Sequence, residues 1–339
     1  MTCEFWMHWF PIPGQVETVA ERAEERGFDG LLLADSQNLV GDPFVALGIL
    51  AKATTHLGLG TGIVNPLTRH PAVVASAMAS LQIETGGRVA LGVGRGDSSL
   101  AQIGLRPPST NELGVFVSRV RGFLRADTID LDGTPSRLTW LNPSSFTPPP
   151  VELAATGPRT IALAATISDR LMLTLGADPN QVSAAITLAR QARVAHGLDP
   201  ATLRVGAYIN IACTPNLAQA RDLVRGSTAI FAHFASMRAA PPSPDQTAHD
   251  ATTISALGTN YDAATHGLST ARNASSMDDP FIDRFAIVGS AQRCRTRLAE
   301  LIRLGLDRIV LVPGSRDSDP QQLDHSNRRI AADVLPALR

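Results

Sequence analysis

The chain has 339 residues, of which 44% are hydrophobic and 18% charged, and this is the composition of a globular protein with a sizeable buried core. The charges of its 30 basic and 31 acidic residues nearly cancel, so the chain has no net positive charge to attract a polyanion. An aromatic content of 5% is also low for a nucleic-acid-binding surface. The sequence shows no signal peptide and no apolar run near the roughly 20 residues that span a bilayer, so we expect a cytoplasmic protein without a membrane partner.

Cysteine and lysine usage excludes further classes of protein. Cys3, Cys213 and Cys294 are odd in number and far apart, so the sequence indicates neither a disulfide framework nor a metal cluster. Lys52 is the single lysine, and its position in a predicted helix argues against Schiff-base chemistry on pyridoxal phosphate. The arginines that make up the remaining basic residues suit the binding of carboxylates and phosphates.

Apolar strands and amphipathic helices alternate along the chain, first within the N-terminal 100 residues and then again from residue 151. The predicted strands span 2–6, 28–35, 56–64, 88–94, 151–155, 170–175, 203–213 and 307–312. The predicted helices span 15–27, 42–54, 70–84, 157–167, 179–196, 215–236 and 321–338. Strands without period-2 alternation indicate a parallel sheet buried on both faces, and eight strands in this pattern favour an α/β fold of the (β/α)8 TIM barrel type.

Two stretches exceed what a bare barrel needs, so we predict a single domain over residues 1–339 with insertions at about 126–150 and 237–282. The first contains a DLDG turn and ends in three consecutive prolines. The second contains PPSP (241–244) and many small or polar residues, and it is the better candidate for a lid over the barrel mouth.

Candidate catalytic groups are sought at the carboxyl ends of the strands, where such barrels build their active sites. Three carboxylates, Glu4, Asp35 and Asp97, fall at or near predicted strand ends. Glu4 lies in an apolar, aromatic stretch and is alternatively a strand residue that hydrogen-bonds to backbone. Asp35 is alternatively a helix cap or a turn residue. Their convergence on one barrel mouth favours a functional interpretation.

Two loops have the features of anion-binding sites. GVGRGDSS (92–99) follows the fourth strand, and its glycines allow close backbone approach and free N–H groups. AATGPR (154–159) leads into a helix whose N-terminus points back at the barrel mouth, with Thr156 as a candidate cap. Ordinary turn and cap chemistry is the alternative interpretation of both loops.

Residues 61–97 (TGIVNPLTRHPAVVASAMASLQIETGGRVALGVGRGD) resemble part of the luciferase-like monooxygenase superfamily, through NPLTRHPA, the ETGGR turn and the GxGD loop. Within it, the branch of coenzyme F420-dependent oxidoreductases is the most similar, the methylenetetrahydromethanopterin reductases in particular. The resemblance covers nearly the whole chain except 237–280. Further segments in register are CEFW (3–6), FDGLLLADSQ (28–37), AATGPR (154–159), FIDRFAIVG (281–289) and LGLDRIVLV (304–312).

The resemblance implies that Glu4, Asp35 and Asp97 are catalytic carboxylates near a deazaflavin ring, with Asp97 matching a proton donor. It also implies a non-prolyl cis peptide bond between Gly62 and Ile63 that backs the ring. The other positions that match cofactor-binding segments are Ser36, Asn65, Gly94, Arg95, Gly96, Ala155, Thr156, Gly157 and Pro158. Many relatives carry histidine at the position of Ser36, so we expect no histidine-assisted proton transfer there.

Aromatic residues after the first strand are candidates for a substrate pocket. Trp6, His8 and Trp9 could form its wall, or they could pack against the second insertion. His70 stands at a helix start and suits a structural role, whereas His266 could reach the pocket if the insertion folds over it.

The sequence therefore favours an F420-dependent oxidoreductase that transfers hydride to or from a small organic substrate, with C=N or C=C reduction as the natural direction. An FMN-dependent monooxygenase on the same barrel is the alternative, and a catalytically silent flavin-binding barrel is a third hypothesis. A homodimer is expected from the family resemblance.

Overall fold

The structure, a computed structural model, describes residues 3–236 and 248–339. The PPSP segment (241–244), which belongs to the predicted lid, lies outside these residues. Within them, no helix is both long enough and apolar enough to cross a membrane.

Strands and helices alternate as the sequence predicts. The strands are β1 (Glu4–Trp9), β2 (Gly30–Leu33), β3 (Gly58–Thr61), β4 (Val89–Val93), β5 (Ile129–Leu131), β6 (Thr134–Ser136), β7 (Val151–Ala155), β8 (Arg170–Leu173), β9 (Val205–Cys213), β10 (Ile287–Gly289) and β11 (Arg308–Val312). The helices are α1 (Val16–Glu25), α2 (Pro43–Ala53), α3 (Pro71–Glu84), α4 (Asp97–Ala101), α5 (Thr110–Leu124), α6 (Pro158–Ile167), α7 (Pro179–Ala195), α8 (Leu217–Ser236), α9 (Ala248–Thr259), α10 (Asp279–Phe285), α11 (Ala291–Arg303) and α12 (Pro320–Arg329).

The chain divides into two compact units. Unit 1 comprises Met1–His8, Ala155–Ala162 and Leu171–Arg339, and unit 2 comprises Trp9–Ala154 and Leu163–Arg170.

In unit 2, strands β2, β3, β4 and β7 run parallel in that order. The register pairs Leu31 with Leu59, Leu59 with Val89, and Leu91 with Val151. Every residue of β2, β3 and β4 is buried, as expected for a parallel sheet covered on both faces. Helix α2 packs against α1 and α3, and α3 packs against α5.

In unit 1, strands β8, β9, β11 and β1 run parallel in that order, and the short strand β10 pairs with the last three residues of β9. Val310 lies in register with both Trp6 and Tyr208, and Val312 lies opposite Asn210. All nine residues of β9 are buried. Helices α8, α11 and α12 pack against this strand.

Across residues 3–236 and 248–339, eight parallel strands alternate with helices in chain order, leaving aside the β5–β6 hairpin and β10. The fold is therefore the predicted (β/α)8 TIM barrel of the α/β class. The first predicted insertion contains the antiparallel β5–β6 hairpin, whose turn places Asp132 and Gly133 at positive φ. The described part of the second contains α9 and most of α10. That the whole chain is one domain with these insertions stays a prediction.

Helix starts follow their capping chemistry. The Asp42 side chain accepts from the amides of Phe44 and Val45 at the start of α2. The His70 ring accepts from the Ala72 amide at the start of α3, which confirms the structural interpretation of that histidine.

The prediction missed helix α5, although Ser109 and Glu112 form a capping box that the sequence displays. It also missed α4, β10, α10 and α11. The strand bounds also differ from the prediction. For example, β1 occupies residues 4–9 rather than 2–6.

Candidate active site

Asp35, just beyond the carboxyl end of β2, is the centre of a polar network in unit 2. The carboxylate is 5% exposed, and Arg69 Nη1 lies 2.5 Å from its Oδ2 atom. Gln37 Nε2 donates to its Oδ1 atom at 2.8 Å. The other terminal nitrogen of Arg69 lies 2.7 Å from Asp42 Oδ2, and the guanidinium stacks over the Phe44 ring at 4.9 Å. Arg69 therefore forms ion pairs with two carboxylates.

These two carboxylates differ in proton affinity. Burial raises the pKa of Asp35 above its ordinary value, and the charge and hydrogen bond of Arg69 oppose this shift without reversing it. At Asp42, burial also favours the protonated form, but hydrogen bonds from Arg69 and from the amides of Val45 and Phe44 hold the pKa below its ordinary value. Asp35 is therefore the member of the network that is suited to carry a proton.

Asn65 links the network to the turn after β3. It is fully buried, its Oδ1 atom accepts from the amides of Leu67 and Thr68 at 3.0 and 3.1 Å, and its Nδ2 atom donates to Gln37 Oε1 at 3.5 Å. The peptide bond between Gly62 and Ile63 is cis, as the family resemblance implies. Ser36 is half-buried, and its carbonyl accepts from the amides of residues 39 and 40 in a turn.

The loop after β4 packs tightly against this turn. A Cβ atom on Gly94 would stand 1.9 Å from Ile63 Cδ1, and one on Gly96, at φ 74°, would stand 2.5 Å from Asn65 Cβ. Gly96 is required here, because its positive φ and its closeness to Asn65 Cβ both exclude a side chain, whereas a side chain at Gly94 would force the Ile63 side chain to move. The two predicted cofactor-binding segments of unit 2 thus lie together.

Asp97 is the first residue of α4, and Arg95 Nη2 lies 3.6 Å from its Oδ1 atom. Two polar atoms next to Asp97, Arg95 Nε in the loop and Ser98 Oγ in α4, are buried without a hydrogen-bond partner among the described residues. Because buried donors are normally paired, this loop has hydrogen-bonding capacity for a bound group.

The second predicted cofactor-binding loop, residues 155–158, belongs to unit 1. The hydroxyls of Thr156 and Thr174 lie 2.5 Å apart, and the amide of Thr174 donates to the Ala155 carbonyl at 3.1 Å. The Ile161 amide donates to the Gly157 carbonyl at 2.9 Å, so the first turn of α6 begins directly after this loop. Pro158 occupies the first position of the helix, as the sequence indicates.

Glu4 is not at the carboxyl end of its strand, and that expectation is wrong. Because β1 begins at residue 4, Glu4 is its first residue and lies at the amino end. Arg308 Nε and Nη2 approach Glu4 Oε2 at 2.7 and 2.5 Å, and Trp6 Nε1 donates to the same oxygen at 2.9 Å. The Arg308 guanidinium also lies over the Trp6 ring at 4.0 Å. Active sites of such barrels form at the other strand end, so this arrangement indicates a structural ion pair.

The three aromatic residues proposed for a substrate wall separate along β1. Trp6 belongs with Glu4 and Arg308 towards the amino end. His8 is buried near the carboxyl end, with its ring edge-on to that of Tyr208 at a centroid distance of 6.0 Å. Trp9 is half-buried at the last position of the strand. His8 is therefore the best placed of the three.

His266 lies in a second ring cluster of unit 1. Its Nδ1 atom is 2.9 Å from the Tyr261 hydroxyl, and His233 stacks on Tyr261 with ring centroids 4.1 Å apart. Burial, with smaller effects of Arg316 and His233, lowers the pKa of His266 to about 4. The imidazole is therefore neutral at physiological pH.

Sequence reasoning missed Arg69, Gln37 and Arg308, which determine the surroundings of the candidate carboxylates. Arg69 stands inside the NPLTRHPA motif, and its position directly before a helix cap is the one signal that the sequence offers. The partner of Arg69 lies 34 residues away in the chain, and that of Arg308 lies 304 residues away.

Comparison with known proteins adds the family context. Residues 11–308 match the family model described as luciferase-like monooxygenase. The chain is 27% identical over 300 residues to a 5,10-methylenetetrahydromethanopterin reductase of Methanolobus tindarius, which covers 86% of this chain and 87% of that protein. It is 32% identical over 169 residues to an F420-dependent glucose-6-phosphate dehydrogenase of Beutenbergia cavernae, with coverage of 45% and 50%.

A solved structure gives a further comparison. The coenzyme F420-dependent tetrahydromethanopterin reductase of Methanopyrus kandleri superposes with a TM-score of 0.77 at 19% identity, covering 100% of both chains. This likeness confirms the barrel fold.

Proposed function

The chain belongs to the luciferase-like monooxygenase family, and from that premise we propose that it is a coenzyme F420-dependent oxidoreductase. It would transfer hydride between the deazaflavin and a small organic substrate, in the direction of C=N or C=C reduction. The relatives named F420-dependent or methylenetetrahydromethanopterin reductase support the cofactor. The observation that carries the proposal in this chain is Asp35, a buried carboxylate with a raised pKa at the carboxyl end of its strand.

The residues present fit this cofactor. Arg95 and Ser98 hold buried nitrogen and hydroxyl groups that lack a partner within the described ranges, and such donors suit the phosphate of the cofactor. Gly94 and Gly96 bring that loop against Ile63 and Asn65. We propose that these residues of unit 2 hold the cofactor. Ser36 and the loop of Ala155, Thr156, Gly157 and Pro158 stay predicted cofactor-binding residues.

The roles of the carboxylates follow from their surroundings. Reduced F420, when bound, supplies the hydride. Asp35 holds a proton on its carboxyl group and delivers it to the substrate atom that becomes more basic on reduction. Arg69 is a positioning residue, since it fixes the Asp35 carboxylate and remains charged. Asp97 is the second candidate acid, in the same unit, and Arg95 orients it.

FMN is the alternative cofactor, because the matching family model is described as a monooxygenase. Carbon at ring position 5 prevents the deazaflavin from activating oxygen as flavin monooxygenases do. A buried acid of raised pKa is more useful in hydride transfer, which needs a proton at the substrate, and this favours F420.

Titration of the purified protein with F420 and with FMN, followed by tryptophan fluorescence, tests the proposal. We expect micromolar or tighter binding of F420 and at least ten-fold weaker binding of FMN. Trp140 is half exposed, so a Trp140→Phe variant removes its signal and leaves that of Trp6 and Trp9. Preference for FMN would move the assignment to oxygen chemistry, and binding of neither would overturn the proposal.

Two further properties complete the proposal. We propose a cytoplasmic location, in line with the expectation from the sequence. We also propose a homodimer, on the family resemblance, and light scattering of the purified protein at micromolar concentration tests it.

A further inference from the structure

Gln37 joins Asp35 to Asn65 in unit 2, and the chemistry of these contacts fixes the direction in which each amide points. The Asn65 Oδ1 atom accepts from the backbone amides of Leu67 and Thr68 at 3.0 and 3.1 Å. Backbone amides can only donate, so the oxygen of the Asn65 carboxamide must face them and its nitrogen must face away. That nitrogen lies 3.5 Å from Gln37 Oε1. The backbone therefore sets the orientation of Asn65.

The orientation of Asn65 in turn fixes that of Gln37. With its oxygen towards Asn65, Gln37 presents its nitrogen to Asp35, and Nε2 donates to Asp35 Oδ1 at 2.8 Å. Turning the Gln37 amide over would place two nitrogens opposite each other at Asn65 and an oxygen opposite the Asp35 carboxylate. Asp35 therefore faces a fixed hydrogen-bond donor on this side.

The other oxygen of Asp35 faces Arg69, which is held from its far side by Asp42. Arg69 Nη1 lies 2.5 Å from Asp35 Oδ2, and Nη2 lies 2.7 Å from Asp42 Oδ2. The Asp42 side chain is itself fixed at the start of α2, where Oδ1 accepts from the amides of Phe44 and Val45 at 2.8 and 3.2 Å. Asp42 therefore ties the guanidinium to α2 and adds a second negative charge near Asp35.

Gln37 and Asp42 act on the proton affinity of Asp35 in opposite directions. Burial raises the pKa of Asp35 and Arg69 lowers it, and these are the largest effects. The negative charge of Asp42 also raises this pKa, because a second anion nearby disfavours ionisation. The hydrogen bond from Gln37 lowers it, because an N–H donor stabilises the ionised carboxylate. A change at either neighbour can therefore alter Asp35 without touching it.

We propose that Gln37 and Asp42 are positioning residues of the candidate acid, with Gln37 stabilising the carboxylate left after proton transfer and Asp42 favouring the return of the proton to Asp35. The inference rests on the proposed function, in which Asp35 protonates the substrate. An acid must release its proton and take it up again in each turnover, so a fixed donor and a nearby anion assist opposite steps. Both residues act through Asp35 rather than on the substrate.

Two variants separate the two effects. Gln37→Met keeps the length of the side chain and removes the donor. Asp42→Asn removes the charge and keeps an oxygen for the cap of α2, since asparagine caps helices about as well as aspartate. The matched controls lie on α7 in unit 1. They are Gln191→Met at an exposed position and Asp178→Asn, which makes the same change at the N-cap of that helix.

The pKa of Asp35 is measured directly, by carbon-13 NMR titration of the full chain labelled at its aspartate carboxyl carbons, without cofactor or substrate. The Asp35 resonance is the one that disappears in Asp35→Asn. We expect Gln37→Met to raise the pKa of Asp35 and Asp42→Asn to lower it, each by about 0.5 pH unit or more. The two controls should leave it unchanged. The pH at which the rate of reduction falls should move in the same directions.

The possible outcomes separate this inference from the proposed function. Shifts of the same sign in Gln37→Met and Asp42→Asn, or shifts no larger than those of the controls, would overturn the inference. Shifts of opposite sign with an unchanged pH–rate profile would overturn the role of Asp35 as the acid, and with it the positioning role of its neighbours. If the wild type fails to bind F420, the proposed function fails, and the NMR titration still decides whether Gln37 and Asp42 act on Asp35.

Thermal unfolding shows whether the variants fold. If Gln37→Met does not fold, Gln37→Leu takes its place, because it also lacks the donor. If Asp42→Asn does not fold, Asp42→Ser takes its place, because serine is a good N-cap residue without charge. The expected directions of the two pKa shifts stay the same.

Discussion

Asp35 in unit 2 and Glu4 in unit 1 are both carboxylates paired with an arginine, yet they stand at opposite ends of their strands. Asp35 lies two residues beyond the end of β2 with a side chain that is 4% exposed, whereas Glu4 begins β1 with a side chain that is 37% exposed. Arg69 divides its nitrogens between Asp35 and Asp42, while two nitrogens of Arg308 converge on one oxygen of Glu4. Burial raises the pKa of Asp35 even though Arg69 is close, so this carboxylate is able to take up a proton.

The amino ends of the strands provide a second example of the structural kind. Arg170, the first residue of β8, is paired with Glu152 of β7 in unit 2, and both are fully buried. All three carboxylates have an arginine partner, so position along the strand is the feature that distinguishes the candidate acid from the structural pairs.

The largest effects are expected at Asp97 and Asp35, the two candidate acids of unit 2, and Asp97→Asn tests the second of them. Turnover should fall by about 10²–10⁴-fold, the usual contribution of an acid–base residue, while F420 affinity stays within about three-fold. Steady-state rates with an imine or enone that the wild type reduces, together with F420 titration, measure both quantities. Asp132→Asn is the control, since Asp132 is an exposed, arginine-paired carboxylate. Unchanged turnover would make Asp97 a structural loop residue and Asp35 the acid.

Asp35→Asn should likewise slow turnover by about 10²–10⁴-fold and also change its pH dependence. A general acid must be protonated, so the wild-type rate of reduction should fall as pH rises through the raised pKa of Asp35, and the variant should lack this decrease. The contribution of Asp35 to the free energy of unfolding should also decrease as pH rises. The contribution of a group with a raised pKa is present below its unfolded value and is lost as pH rises through the folded value. An identical pH–rate profile in the variant would contradict the role of Asp35.

The sequence predicts the barrel because its strands are short, apolar and regularly separated by helices. It places Asp35 near a strand end for a local reason, since FDGLLLAD ends in an acidic residue that lies just beyond β2 even though β2 is shorter than predicted. The catalytic role of Asp35 stays a prediction. The position of Glu4 differs from the expectation because β1 spans residues 4–9 rather than 2–6. Glu4 is therefore the first residue of the strand and does not lie near its carboxyl end.

The pairings were not predictable, because they depend on chain segments that meet only in the folded protein. The contacts of Arg69 with Asp35 and of Arg308 with Glu4 both belong to this class. The missed helix α5 is different. Its capping box, Ser109 with Glu112, is visible in the sequence, and the long interval between the fourth and fifth predicted strands left room for it.

His266 is a buried titratable group like Asp35, but the charge of its neighbour Arg316 has the same sign as a protonated imidazole. Its pKa is lowered to about 4 by burial and by Arg316 and His233, so the folded state binds fewer protons than the unfolded state between that value and the ordinary 6.5. The stabilising contribution is present above 6.5 and is lost as pH falls towards 4, by about 3 kcal/mol in all. Urea unfolding across this range should show a shallower pH dependence in His266→Gln. His196→Gln, at an exposed site on α7, should match the wild type.

The smallest effect is expected from Glu4→Gln, and it tests the structural side of the comparison. The amide keeps an acceptor for Trp6 and Arg308 but loses the charge, so the free energy of unfolding should fall by about 1 kcal/mol, because the site is partly open to solvent. Turnover and F420 affinity should match those of the wild type. Glu17→Gln on the exposed face of α1 controls for the change in net charge. A loss of turnover comparable to that of Asp35→Asn, at unchanged stability, would return Glu4 to the catalytic group and show that the strand end does not decide the role of these carboxylates.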